Sequence, residues 1–175
     1  MNNLEYEIKH YQNGSKYIAG VDEVGRGPLA GPVVAAAVIM PKDFYLEGIT
    51  DSKKLSLKKR NEYEKIILEN AISVSISFQS EKVIDEINIY EASRKAMICA
   101  INDLSIKPDI VLVDAMPLDI PIETESIIKG DEKSFSRNRI GAIKGAFLLE
   151  PRGQENRPLG SRLLRKIHLP YKYGR

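Results

Sequence analysis

A glycine-rich turn between two apolar segments is the feature of this 175-residue chain that most restricts its fold. Residues 17–21 and 33–40 predict strands on either side of the turn, and the second segment, apolar throughout, predicts a strand buried on both faces. Asp22 and Glu23 stand between the first segment and the turn. Neighbouring side chains of a strand point to opposite faces, but two acids at the point where a strand breaks can converge. We therefore expect both carboxylates at one end of a sheet.

Converging carboxylates repel each other, and a hard divalent cation is the usual way to offset that repulsion. The turn that follows contains Gly25 and Gly27, whose bare backbone can approach a ligand closely, and Arg26, whose guanidinium suits phosphate. Acids for a metal beside a turn for a phosphodiester indicate phosphoryl-transfer chemistry on nucleic acid.

Helix and strand signals alternate along the rest of the chain, which predicts a mixed α/β class. Ser56 can cap a helix that runs to about residue 69, and residues 71–79 alternate apolar and serine side chains as in a half-exposed strand. Asn88 and Glu91 form a capping box for a helix that runs to about residue 104. A short buried strand over 110–113 is followed by another near 126–128.

Asp114 follows the four-residue apolar run 110–113 and should therefore sit at the C-terminal end of that strand. Asp22 follows a similar run, so the two positions mirror each other. Taken alone, Asp114 is better explained as a turn-initiating aspartate. Together with Asp22 and Glu23 it would provide oxygen ligands for a hard divalent cation, and the family resemblance described next favours that interpretation.

Several separate motifs resemble those of ribonuclease HII, the type 2 ribonuclease H of bacteria. Residues 22–32 closely resemble its active-site signature, and further stretches match in order and approximate spacing: 51–56, 84–92, 112–115 and 127–134. The resemblance runs from about residue 17 to residue 136. It implies a ribonuclease-H-like α/β fold in which helices flank a mixed central sheet.

By this resemblance, Asp22, Glu23 and Asp114 are catalytic and hold Mn²⁺ or Mg²⁺ for two-metal hydrolysis. The turn would lie in the minor groove of a hybrid duplex and contact the 2′-hydroxyl that distinguishes RNA from DNA. The implied substrate contacts are Gly25, Arg26, Gly27, Lys53, Lys129, Lys133 and Ser134. Residues 25–30 also match a dinucleotide-binding loop, but a strand-like segment follows where that loop requires a helix.

After Ser136 the resemblance fails. The family continues into a helix that carries a fourth catalytic aspartate, whereas this chain has no aspartate beyond Asp131, and Glu150 and Glu155 are its last acids. The fourth carboxylate is therefore unknown. Two functions remain open: an endoribonuclease acting on RNA–DNA hybrids and on single ribonucleotides in duplex DNA, or a catalytically impaired remnant that still binds hybrid duplex.

Charge divides the chain at the same place. Residues 1–136 contain 16 Lys and Arg against 22 Asp and Glu, a net charge of −6, whereas residues 137–175 contain 10 against 2, a net charge of +8. We therefore expect a catalytic domain over 1–136 and a divergent basic segment over 137–175. That segment is either a nucleic-acid contact surface or a solvated, poorly ordered tail.

Composition restricts the setting in which the chain works. A single cysteine, Cys99, excludes an intramolecular disulfide and fits a reducing compartment. The first residues show neither the basic segment nor the apolar stretch of a signal peptide, and no apolar run reaches membrane-spanning length. We expect a cytoplasmic monomer without membrane contact.

Overall fold

The computed structural model describes residues 5–26, 31–46, 56–114 and 116–127, which contain three helices and five strands. Within these residues, no helix has the length and apolar character needed to span a membrane. In chain order the elements are α1 (Glu5–Gln12), β1 (Ile18–Val24), β2 (Val33–Ile39), α2 (Leu57–Asn70), β3 (Ser73–Gln79), α3 (Glu81–Asn102), β4 (Ile110–Asp114) and β5 (Glu123–Ile127).

The five strands form one mixed sheet in the order β3-β2-β1-β4-β5. Strand β2 runs antiparallel to both of its neighbours, β1 and β3, whereas β4 runs parallel to β1 and β5 parallel to β4. The C-terminal ends of β1, β3, β4 and β5 therefore lie along the same edge of the sheet. The predicted mixed α/β class is confirmed.

Each face of the sheet is covered by helices, and alternation along the strands assigns the residues to the two faces. On the α3 face, Val21, Ala35 and Val113 join the main core with buried residues of α3 such as Met97 and Ile101. On the opposite α1–α2 face there are two smaller clusters. Residues of α2 cover Ala36 and Val38 in one of them, while Tyr6 and Tyr11 of α1 pack on the other, which contains Ile18, Ile110, Leu112 and Ile127.

Helix α2 begins where the sequence predicts, because the side chain of Ser56 accepts a hydrogen bond from the Lys59 amide at 3.4 Å. Tyr63 and Ile67 are buried against the α1–α2 face, as the apolar spacing of the helix predicts. The N-terminal helix α1 has no counterpart in the sequence-based prediction. Its amphipathic pattern is weak, and its tyrosines gain their burial from the sheet.

Strand β3 is partly covered on both faces, and its alternating apolar and serine side chains do not separate into a buried face and an exposed face. Its serines face α3: the Ser75 hydroxyl is fully buried and donates to the Ala100 carbonyl, and Ser73 pairs with Ser105 at 2.9 Å. On the other face Phe78 remains 45% exposed. Hydrogen bonds to helix α3 and its C-terminal turn satisfy the serine hydroxyls, so polarity alone does not show which face of a strand is buried.

Candidate active site at the ends of β1 and β4

Strand β1 continues through both acids, so the expectation that it breaks after Val21 is wrong. Asp22 pairs with Ala36, Glu23 with Ala35 and Val24 with Val34 in the antiparallel ladder to β2. The alanines and valines of β2 thus extend the pairing past the acids. The sequence around Asp22 and Glu23 does not by itself predict this pairing. Asp22 and Glu23 consequently project to opposite faces of the sheet rather than converging.

Asp22 lies on the α1–α2 face, beside the small side chain of its partner Ala36. It is 9% exposed, and its Oδ1 accepts a hydrogen bond from the Glu23 amide at 2.8 Å. A carboxylate this deeply buried is costly unless hydrogen bonds or a cation compensate for the lost hydration. The Glu23 amide provides one such hydrogen bond.

Position 114 lies level with Asp22 on the neighbouring strand. The parallel ladder pairs Ile18 with Ile110 and, in steps of one, Val21 with Val113, so the next residues in register are Asp22 and Asp114. Neighbouring strands are about 4.8 Å apart. Asp114 ends β4, as predicted, and its backbone pairs with Ile127 of β5. Its side chain lies outside the described part of the chain.

Glu23 lies on the α3 face, where its partner Ala35 belongs to the main core. Its side chain is 11% exposed, and its Oε1 is 3.3 Å from Nη1 of Arg26, three residues further on. The guanidinium expected to bind phosphate is thus beside an acid in this conformation. The Arg26 side chain is 43% exposed, so a ligand at this edge of the sheet can reach it.

Gly25 joins β1 to the turn with φ +101°, a conformation that favours glycine. A Cβ built at Gly25 would lie 2.5 Å from the Pro32 carbonyl oxygen and 3.2 Å from Cα of Val33. The bare backbone therefore permits close approach, but to the protein's own chain at the start of β2. This contact gives Gly25 a structural role whether or not it also touches a ligand.

The remaining predicted site residues fall outside the described part of the chain: Gly27, Lys53, Lys129, Lys133 and Ser134. So do the proposed boundary at residue 136 and the acids Glu150 and Glu155. Among the described side chains, no three His, Cys, Asp or Glu residues form a metal-binding group. The metal assignment therefore rests on the register of Asp22 and Asp114 and on carboxylate chemistry.

A second polar group on the α1–α2 face was given no role by the sequence. Glu125 of β5 forms an ion pair with Lys9, at 2.8 Å, and a hydrogen bond with the buried His10, both on α1. Burial raises the pKa of Glu125, but hydrogen bonds from Lys9 and His10 outweigh that effect and hold the pKa below its ordinary value. These contacts attach α1 to the outer strand. Sequence spacing could not reveal them, because the partners are more than 100 residues apart.

Comparison with known proteins places this geometry in a family. The Ribonuclease HII family model matches residues 19–141, which include both acids of β1 and the end of β4. The chain belongs to the ribonuclease HII family. It is 57% identical over 136 residues to the Bacillus subtilis ribonuclease HII and 60% identical over 130 residues to that of Oceanobacillus iheyensis. These matches cover 78% and 74% of this chain, but only 53% and 50% of the two relatives.

Solved structures support the same fold. The ribonuclease H2 of Pyrococcus horikoshii superposes with a TM-score of 0.63 at 23% identity, covering 86% of each chain. A ribonuclease HIII named Bst-RNase HIII, solved in complex with Mn²⁺, superposes with a TM-score of 0.59 at 17% identity, covering 91% of this chain and 57% of that one. At these identities the likeness concerns the fold, and it confirms the predicted ribonuclease-H-like architecture.

Proposed function

We propose that the chain is an endoribonuclease domain that hydrolyses the RNA strand of RNA–DNA hybrids and cuts at single ribonucleotides in duplex DNA. The observation that carries this proposal is the register of β1 and β4, which sets the buried Asp22 level with Asp114 at one edge of the sheet. Family membership supports the reaction class, and the chain spans about half the length of the curated relatives it matches.

Asp22 and Asp114 would hold Mn²⁺ or Mg²⁺ on the α1–α2 face, and Glu23, which projects to the α3 face, would have to reach these ions around the end of β1. These ions, when bound, would activate water as the nucleophile and stabilise charge on the leaving 3′-oxygen, so that the products would carry 5′-phosphate and 3′-hydroxyl ends. The donor set fits these ions, because carboxylate oxygens are the ligands they prefer and Asp22 is already shielded from water. The role of the chain is to keep these acids in place before the duplex arrives.

The duplex would lie along the edge where β1 and β4 end, with the turn after β1 in its minor groove. Arg26 is exposed at this edge and can exchange Glu23 for a phosphate oxygen. Gly27, Lys53, Lys129, Lys133 and Ser134 complete the proposed contacts. The 2′-hydroxyl is the group that such a minor-groove contact would use to recognise RNA.

A second candidate is a remnant that binds hybrid duplex without efficient cleavage. It is favoured by the lack of any aspartate beyond Asp131, because the family supplies a fourth catalytic aspartate from that part of its sequence. A two-metal site with one carboxylate fewer holds its second cation more weakly. The basic segment 137–175 could still contribute affinity for nucleic acid.

One experiment separates the two candidates: binding and cleavage of a duplex containing a single ribonucleotide, with Mn²⁺ or Mg²⁺ added. We expect Asp22→Asn and Asp114→Asn to abolish Mn²⁺ binding and to reduce cleavage roughly 100-fold or more. The fold should stay intact or become slightly more stable, because crowded carboxylates repel each other without the cation. Asp119→Asn is the matched control, since Asp119 is an exposed aspartate shortly after β4.

The outcomes are distinct. Metal-dependent cleavage that both active-site variants lose supports the enzyme. Duplex binding without cleavage in the unmodified chain supports the remnant. Unchanged Mn²⁺ affinity in Asp22→Asn or Asp114→Asn, equal to that of the Asp119→Asn control, refutes the assignment of these carboxylates.

A further inference from the structure

The arginine Arg94 of helix α3 contacts the chain that leaves β4. Nε of Arg94 donates to the carbonyl oxygen of Pro117 at 3.1 Å, three residues after Asp114. Met116 and Leu118, on either side of Pro117, are both buried in the main core on the α3 face. The segment 116–118 is therefore held by two apolar side chains and by a hydrogen bond to its central carbonyl.

Arg94 is itself held in place. Its Nη1 lies 3.0 and 3.3 Å from the two carboxylate oxygens of Glu91, one turn earlier on the helix. This contact leaves Nε directed at Pro117. An arginine can satisfy both partners at once because its planar guanidinium offers several donors in a fixed arrangement, which a lysine lacks.

The position of Glu91 and Arg94 depends on a break inside α3. Asn88 has φ 67° and ψ 165°, a conformation that residues other than glycine rarely adopt. Its Oδ1 accepts hydrogen bonds from the amides of Tyr90 at 2.9 Å and Glu91 at 3.1 Å, so it caps the second segment of the helix. Strained backbone of this kind persists where the surrounding structure requires it, and here it sets the direction of the segment that carries Arg94.

We infer that Arg94 is a positioning residue for Asp114. A metal site tolerates little displacement of its ligands, and residues that orient a ligand affect metal affinity without touching the ion. Asp114 is the last residue of β4, so the direction of its backbone is set by ladder pairing before it and by the anchored segment 116–118 after it. This inference rests on the proposed role of Asp114 as a metal ligand.

A purely stabilising role for Arg94 would mean that its loss lowers the free energy of unfolding of the whole domain. Its side chain is 25% exposed, and its partner Glu91 is more exposed still. Ion pairs between partly solvated groups one helical turn apart contribute little to global stability. Loss of the guanidinium should therefore affect the end of β4 far more than the unfolding equilibrium of the whole domain.

The test compares Arg94→Met with Lys95→Met in the full chain. Both changes remove a cation from neighbouring positions of α3, but Lys95 is exposed and lies outside the Arg94–Glu91–Pro117 contacts. We expect Arg94→Met to weaken Mn²⁺ binding in a calorimetric titration about tenfold, with Lys95→Met close to the unmodified chain. Without metal, Arg94→Met should also speed hydrogen exchange at the amides of Met116 and Leu118, on either side of Pro117. Arg94→Lys should restore part of the affinity, because it keeps one donor.

The failure of this inference can be told apart from the failure of the proposed function. If Asp114→Asn loses Mn²⁺ while Arg94→Met binds it as tightly as Lys95→Met, Arg94 does not position the ligand and the proposed function stands. Faster hydrogen exchange with unchanged Mn²⁺ affinity overturns the inference in the same way. If Asp114→Asn itself leaves Mn²⁺ affinity unchanged, both proposals are wrong.

Discussion

Replacement of Gly25 by alanine tests whether the turn after β1 is built on contact between the protein's own backbone segments. Gly14 is a matched control, since its φ of +98° is almost equal to the +101° of Gly25. A Cβ at Gly14 meets nothing within 4 Å, whereas a Cβ at Gly25 would lie 2.5 Å from the Pro32 carbonyl oxygen. The two variants therefore share the conformational penalty and differ in the steric one.

The expected magnitudes follow from that difference. A left-handed conformation costs a residue with a Cβ roughly 1–2 kcal/mol, which is the whole effect expected for Gly14→Ala. Gly25→Ala should add about 1–3 kcal/mol, because a backbone carbonyl and the start of β2 must move to relieve the overlap. At about 2–4 °C per kcal/mol for a chain of this size, Tm should fall by roughly 2–8 °C in Gly14→Ala and by roughly 4–20 °C in Gly25→Ala.

Thermal unfolding followed by circular dichroism measures both shifts, and urea titration gives the free energies of unfolding. Mn²⁺ titration should separate the variants as well, because the displaced start of β2 pairs with the end of β1 that carries Asp22 and Glu23, whereas Gly14 follows α1. Equal losses of stability would refute the reasoning, since they would mean that the turn has room for a Cβ at Gly25.

Two further changes test the contacts that organise the domain. Asn88→Ala should lower the free energy of unfolding by about 1–3 kcal/mol, because it loses the cap and keeps the unfavourable backbone conformation. Asn88→Gly should be nearly neutral, because glycine adopts that conformation readily. Equal losses of the two variants in urea titrations would show that the backbone conformation does not matter. The backbone amides of Tyr17 and Lys16 donate hydrogen bonds to the Asp109 carboxylate and lower its pKa. The ionised group therefore stabilises the fold above about pH 4, and this stabilisation is lost as the pH falls through the lowered pKa. Asp109→Asn should therefore be less stable than the unmodified chain at pH 7, with a difference that shrinks towards pH 3; a difference independent of pH would show that the charge plays no part.

Local sequence predicts an element when the residues that define it, such as an apolar run or a capping side chain, belong to the element itself. The apolar run of β2 identifies a strand that is buried along its whole length, and Ser56 marks the start of α2 through its own side chain. Asn88 was predicted as a cap, and its Oδ1 does accept two amides. The helical segment that begins at Glu81 and precedes this cap was not predicted, and the two segments of α3 meet at Asn88, which has a non-helical conformation.

The geometry of the acids could not be predicted in the same way, because pairing between distant segments decides it. Whether β1 ends before Asp22 or after Val24 depends on Val34, Ala35 and Ala36 of β2, and the register of β1 with β4 depends on residues about 90 positions away. The prediction that Asp114 ends its strand is confirmed, and its closeness to Asp22 follows from the parallel ladder. Convergence of Asp22 with Glu23 fails, because a regular strand separates neighbouring side chains.

The parallel arrangement of β1 and β4 is itself a consequence of α3. Two parallel strands need a long connection that brings the chain back to the end of the sheet where strands of that direction begin. Helix α3, with its 22 residues, is the helical part of the connection that leads from β3 past β2 and β1 to β4. The same helix buries the α3 face of the sheet and carries Arg94, which contacts the chain just beyond β4. One element thus brings Asp114 to the edge where Asp22 lies and, in the role proposed for Arg94, fixes its direction there. A substitution in α3 that alters metal affinity should therefore displace Asp114 more than Asp22, because the position of Asp22 is set by its pairing with β2.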